Sequence, residues 1–202
     1  IPIGLYKEVY KIAKRYLFQI EIEGLENLID TTFNKEDFLK WKDNYFSTKF
    51  KPYPYQIEAS IAAIKYRNCT EEISTSGGKT LIAFMIFRYL LEKGIIKKML
   101  FVVPNINLVT QSEEKFYEYE DESNHKPKWQ SECVFSGRKK DNNINPNIVF
   151  GTYQSLAKKE LDYFKEFDAV IIDETHHGKA ASIKSIIVKC YNAKYKIGLT
   201  GT

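Results

Sequence analysis

The alternation of hydrophobic and polar positions changes character near residue 53. Beyond it the chain settles into a repeating rhythm of strand, turn and helix. Residues 56–67 have the spacing of an amphipathic helix, and 69–74 predict a short strand despite Glu71 and Glu72. Residues 79–92 are apolar nearly all round, with Leu81, Ile82, Phe84, Met85, Ile86, Phe87, Leu90 and Leu91, which predicts a helix buried against a sheet. The apolar runs 99–103, 148–150 and 169–172 read as strands covered on both faces. Helices over 108–117 and 180–189 and a last strand over 195–199 complete the series, and the charged, aromatic stretch 118–130 reads as a solvated loop. Such alternation predicts an α/β fold, a mostly parallel sheet flanked by helices.

The first 48 residues follow a different pattern. Leu5, Val9, Ile12, Ala13 and Tyr16 recur at helical spacing, and Phe18-Gln19-Ile20-Glu21-Ile22-Glu23 alternates like a strand until Gly24 breaks it. Asn34-Lys35-Glu36-Asp37-Phe38-Leu39 reads as a capped helix start. This predicts a small, partial α+β accessory domain over 1–48, joined through a proline-bearing linker (47–54) to a domain spanning 49–202. Both ends read as interrupted, so the sequence is expected to be part of something larger.

Composition narrows the picture only a little. The 30 basic and 26 acidic residues leave a net charge of +4, which permits nucleic acid as a partner without arguing for it. Three scattered cysteines, Cys69, Cys133 and Cys190, predict reduced thiols and neither a disulfide framework nor a zinc site. No stretch approaches the roughly 20 apolar residues that span a bilayer, and the N-terminus lacks a signal-peptide pattern. The expectation is a cytoplasmic protein with no membrane partner.

Candidate chemistry lies at two predicted strand ends. Ser74-Thr75-Ser76-Gly77-Gly78-Lys79-Thr80 stands between a strand and a strongly helical run, the setting of a phosphate-binding loop. Glycines let backbone N–H groups turn toward an anion, and the helix that follows aims its positive end the same way. Lys79 would reach the β- and γ-phosphates, and the Thr80 hydroxyl would ligate Mg²⁺. The general pattern has glycine or alanine where this chain has Ile73, and an ordinary turn before a helix is the alternative. Asp173-Glu174-Thr175-His176 directly follows Val170-Ile171-Ile172, so an acidic pair emerges where parallel sheets bind ligands. Asp173 suits the metal, through a bridging water, and Glu174 suits an attacking water.

These residues resemble motifs of the superfamily 2 helicases. Asp173-Glu174-Thr175-His176 is similar to their DExH box, with His176 linking it to the rest of the motor, and the loop over 74–80 is similar to their phosphate loop. Ser76 stands where many of them have glycine. Tyr53-Pro54-Tyr55-Gln56 resembles the Q motif, which implies that Gln56 contacts adenine. Val102-Val103-Pro104-Asn105 resembles motif Ia and Gly151-Thr152-Tyr153-Gln154-Ser155-Leu156 motif Ib, which makes Pro104, Asn105, Gly151 and Thr152 candidates for holding a nucleic-acid backbone on a face opposite the nucleotide. Ser136 and Gly137 are further candidates. Gly198-Leu199-Thr200-Gly201-Thr202 resembles motif III, which implies that Thr200 and Thr202 couple hydrolysis to domain movement. Six motifs in order cover 53–202. Within the superfamily they resemble the branch holding the excision-repair helicases and the phage UvsW-type recombination helicases.

The resemblance implies the first RecA-like domain of an ATP-dependent, Mg²⁺-requiring motor on nucleic acid, DNA in preference to RNA, in a bacterial or phage-infected cell. A second RecA-like domain would complete the active site. Alternatives are an RNA helicase, a translocase subunit of a restriction enzyme, a different phosphate-loop enzyme, or a binding module whose loop has decayed. Asn34-Lys35-Glu36-Asp37 spells a guanine-recognition pattern, but it precedes the phosphate loop and reads as a helix cap.

Overall fold

The computed structural model describes residues 12, 13, 15, 16, 29–46, 50–74, 76–137, 144–173 and 180–201. Most of the helical and extended patterns expected over 5–23 lie outside them. Six strands form one sheet: β1 (Asn68–Glu72), β2 (Met99–Val103), β3 (Ser131–Val134), β4 (Ile148–Thr152), β5 (Ala169–Asp173) and β6 (Tyr195–Thr200). Their spatial order is β1-β6-β5-β2-β4-β3, and every neighbouring pair is parallel. All carboxyl ends therefore fall on one edge.

The helices are α1 (Lys35–Tyr45), α2 (Pro54–Tyr66), α3 (Lys79–Glu92), α4 (Ile106–Glu122), α5 (Tyr153–Ala157) and α6 (Ala180–Lys189), with a short 3₁₀ turn at Leu161–Phe164. The chain steps across the sheet from β1 to β2 to β3, then returns through β4 and β5 to β6. Right-handed crossovers put helices of outward and returning steps on opposite faces. The core divides accordingly. Met99, Phe101 and Val103 of β2 pack with α2, α3 and α4, whereas Leu100 and Val102 pack with Tyr153, Leu156, Phe164, Ile183 and Ile186. A strand alternates its side chains between faces, so the unbroken apolar run of β2 is what two covered faces require.

One expectation needs correction. The stretch 118–130 is not a solvated loop throughout. Helix α4 continues to Glu122, Glu120 is completely buried, and Ser123 and Trp129 are buried beyond it. The Glu120 carboxylate accepts hydrogen bonds from Tyr45 Oη at 2.6 Å and from Trp129 Nε1, and Arg88 Nε lies 2.8 Å away. A charge read as solvated is thus neutralised inside the fold. The strand β3 at 131–134, unmarked by any long apolar run, is an edge strand half-covered by α4.

Helix α1 begins as its sequence suggests, with Asn34 Oδ1 accepting from the N–H groups of Glu36 (2.8 Å) and Asp37 (3.3 Å). Asp37 accepts from Tyr89 Oη at 2.9 Å and pairs with Lys93 at 2.7 Å, contacts that accord with a structural role for the Asn-Lys-Glu-Asp sequence. Phe38, Trp41, Tyr45 and Phe46 belong to the same core as α3 and α4.

Candidate functional site

The candidate phosphate loop begins where β1 ends. Gly77 N–H donates to Ser74 O at 2.9 Å, turning the chain back toward the sheet edge, and Gly78 caps α3 in the left-handed region at φ 76°. Ser76 is also left-handed, at φ 65°, a region that glycine enters more readily than serine. A Cβ at Gly77 would stand 2.7 Å from Ile73 Cγ2, so Ile73 fills space beneath the loop. Lys79 and Thr80 are the first two residues of a 14-residue helix and remain half-exposed. First-turn N–H groups have no intrahelical partner and carry the positive end of the helix dipole. Thr75 lies outside the described residues.

Gln56 is 4% exposed in the first turn of α2. Its Oε1 accepts from Tyr53 N–H at 2.9 Å, and its Nε2 donates to Gly77 O at 3.1 Å. Tyr55 Oη donates to the same carbonyl at 3.0 Å. The Q-like segment therefore grips the phosphate loop itself. Tyr55 was not singled out from sequence, although its place beside Gln56 was a signal. Beside this clamp a cavity of about 450 Å³ opens between α2 and the end of β1, lined by Tyr55, Glu58, Ala59, Glu72 and Ser74 among others.

The acidic strand β5 ends two positions from β1, with β6 between them. At strand spacings of about 4.8 Å, the two ends are roughly 10 Å apart. Asp173 is 8% exposed at the end of β5. Thr200 ends β6 opposite Glu72, and its carbonyl accepts from Ile73 N–H at 2.8 Å. Glu174, His176 and Thr202 lie outside the described residues. Thr80 and Asp173 offer a hydroxyl and a carboxylate, the hard oxygen donors that suit Mg²⁺. Among the described residues no group of three or more His, Cys, Asp or Glu side chains is placed to hold a metal ion.

The nucleic-acid candidates occupy the other half of the same edge, at the ends of β2, β4 and β3. In a parallel sheet these loops and the loop over 74–80 all follow strand carboxyl ends. Pro104, Asn105, Asn107, Ser136, Thr152 and Ser155 line a cavity of about 410 Å³ there, and none of its described lining residues is charged. Asn105 caps α4, accepting from Leu108 N–H at 3.0 Å, and Thr152 caps α5, accepting from Ser155 N–H at 3.3 Å. Gly151 does not belong to this cavity. It lies buried within β4, and a Cβ there would stand 2.8 Å from Leu156 Cδ1, so its size serves the packing of α5. Tyr153, the first residue of α5, donates its hydroxyl hydrogen bond to the Asp173 backbone carbonyl.

Comparison with known proteins agrees with this geometry. The family described as "Type III restriction enzyme, res subunit" matches residues 49–202. The ATP-dependent DNA helicase uvsW of Enterobacteria phage T4 is 29% identical over the full chain, which covers 40% of that protein. The DNA 3'-5' translocase XPB2 of Sulfurisphaera tokodaii is 28% identical over 96% of the chain, which covers 38% of that protein. The chain thus spans about two-fifths of these relatives. The crystal structure of the bacteriophage T4 UvsW helicase superposes over the whole chain and 72% of its own length, with a TM-score of 0.82 and 26% identity. Sheet order and the matched span lead to one assignment: the chain belongs to the type III restriction enzyme res-subunit family and has the RecA-like fold of superfamily 2 helicase domains.

Proposed function

We propose that this domain binds ATP·Mg²⁺ for a DNA-dependent motor, and that the protein containing it hydrolyses ATP to translocate on or remodel DNA. The observation that carries this reading is the shared sheet edge. Lys79 and Thr80 open α3 at the end of β1, and Asp173 ends β5 two strand positions away, a span a magnesium-bound triphosphate can bridge. In this reading the backbone of Ser74, Thr75, Ser76, Gly77 and Gly78 cradles the phosphates, and Lys79 neutralises the terminal ones. Thr80 and Asp173 hold Mg²⁺, which when bound offsets the phosphate charge. Glu174 orients the attacking water, while His176, Thr200 and Thr202 pass the state of the nucleotide to the rest of the motor. Gln56 positions the loop and keeps one N–H and one lone pair for adenine. Pro104, Asn105 and Thr152 hold the DNA backbone through uncharged groups, which contact phosphate without reading sequence.

A second RecA-like domain, following this one, would supply the arginine that such motors use. Arginine fingers contribute on the order of 10³–10⁵ in rate in other phosphate-loop enzymes. Residues 1–202 alone are therefore expected to bind ATP weakly and hydrolyse it poorly. The family match also supports a second reading, the translocase subunit of a restriction enzyme, which shares all of this chemistry and differs in its attached nuclease.

The test is ATP hydrolysis by the complete protein with single-stranded, duplex and branched DNA and with RNA. DNA should stimulate turnover more than RNA, and Lys79→Ala or Glu174→Gln should abolish it. Undiminished turnover in either variant would refute the assignment.

A further inference from the structure

We infer that Tyr153 is a positioning residue that couples the DNA cavity to the hydrolytic strand end, through the hydrogen bond from its hydroxyl to the backbone carbonyl of Asp173. The inference rests on the proposed function and adds a route by which DNA controls hydrolysis.

The geometry is specific. Thr152, Gln154 and Ser155, on either side of Tyr153 in the chain, line the cavity at the end of β4. Tyr153 itself turns inward, with a ring only 1% exposed that packs with Val102 of β2 and Ile172 of β5. Its hydroxyl ends on Asp173, two strand positions from β4. One side chain thus bridges the two halves of the carboxyl edge, passing over β2. The accepting carbonyl belongs to Asp173, the residue proposed to hold Mg²⁺, so a displacement of the phenol acts on the end of β5 itself.

Helix α5 is suited to transmit such a displacement. It is one short helix of five residues, capped by the Thr152 hydroxyl. Leu156 packs directly on Gly151, with no room for a Cβ between them, which ties α5 closely to the end of β4. Phosphate oxygens seated against Thr152 and Ser155 compete for the hydroxyls that cap the helix and bias its position. Coupling of this kind is a free energy shared by two sites, and is reciprocal for binding.

Tyr153→Phe keeps the ring and removes only the donor. In the complete protein, it should lower the factor by which DNA stimulates ATP hydrolysis about ten-fold, within the usual range of site-to-site coupling. Affinity for DNA without nucleotide should stay within about two-fold. The ratio of DNA affinities with and without a non-hydrolysable ATP analogue should fall toward one, a readout independent of turnover. Tyr163→Phe is the control, because that buried hydroxyl has no hydrogen-bond partner among the described residues and its loss should change neither ratio. Gly151→Ala displaces α5 with the phenol intact, and should reduce the same ratios if Tyr153→Phe proves too unstable to assay. Unchanged ratios in both variants overturn the inference. So does an equal loss of basal and stimulated rates accompanied by a lower melting temperature, which marks a purely structural role. If the unmodified protein shows neither DNA stimulation nor nucleotide-linked DNA affinity, the proposed function falls as well.

Discussion

Gly78 concentrates several demands on one residue. It caps α3 at φ 76°, and a Cβ there would collide with Gln56 Nε2. Left-handed backbone costs a residue with a Cβ roughly 1–2 kcal/mol, and displacing the Gln56 amide would also disturb its bond to Gly77 O. Gly78→Ala is therefore expected to destabilise the domain by about 2 kcal/mol, read as a lower melting temperature, and to weaken ATP binding by more than stability alone explains. Ser76 is a contrasting case. It tolerates φ 65° with an exposed side chain, so the chain manages without the glycine common at this position. The turn before α3 was legible in the sequence because the left-handed backbone at 78 calls for glycine. The Gln56 clamp was not, because its partner, Gly77 O, is 21 residues away.

At the scale of elements, α1 is bound to the core of the sheet domain more firmly than its place before a proline-bearing linker suggests. The Glu120 carboxylate joins α4 to Tyr45 of α1, to Arg88 of α3 and to Trp129, entirely away from solvent. Removing one partner of a buried charged pair strands the other, at a cost of about 3–5 kcal/mol. Glu120→Leu should lower stability by about that much in urea unfolding, and Arg88→Met added to it should recover part of the loss. A combined effect equal to the sum of the two single losses would show that the charges do not depend on each other. The helix α4 and the buried strands were readable from periodicity. The extension of α4 to Glu122 was missed because a glutamate reads as solvent-facing unless its arginine, 32 positions earlier in the chain, is known to meet it.

Across the whole molecule, residues 29–46 are fastened at a second point. Asp30 accepts from Thr32 Oγ1 at 2.6 Å and from Tyr195 Oη at 2.8 Å, and lies 3.1 Å from Arg67. Burial by itself would raise this carboxyl, but the hydrogen bonds and the Arg67 guanidinium outweigh it and hold it below the ordinary carboxylate range. Asp37 is lowered too, chiefly by Lys93 and Tyr89, but it is exposed and screened by solvent. A carboxylate with a lower pKa in the folded than the unfolded state stabilises fully above its unfolded value, near 4, and this contribution disappears as pH falls through the folded value. Urea midpoints should therefore fall between about pH 5 and pH 3 more steeply in the natural chain than in Asp30→Asn. Equal slopes would remove Asp30 from the acid response.

The sequence alone determined the α/β alternation, the glycine turn before α3, the acidic strand end and the order of the motifs. Each depends on neighbours in the chain: apolar period, turn-forming glycine, or a carboxylate directly after a buried strand. Only the tertiary structure decided which strand ends share an edge, that Gly151 packs against Leu156, that α1 shares a core with α3 and α4, and that Tyr153 reaches Asp173. Those outcomes depend on strand order and on contacts between residues tens of positions apart, and hydrophobic periodicity carries no information about which element a buried face will meet.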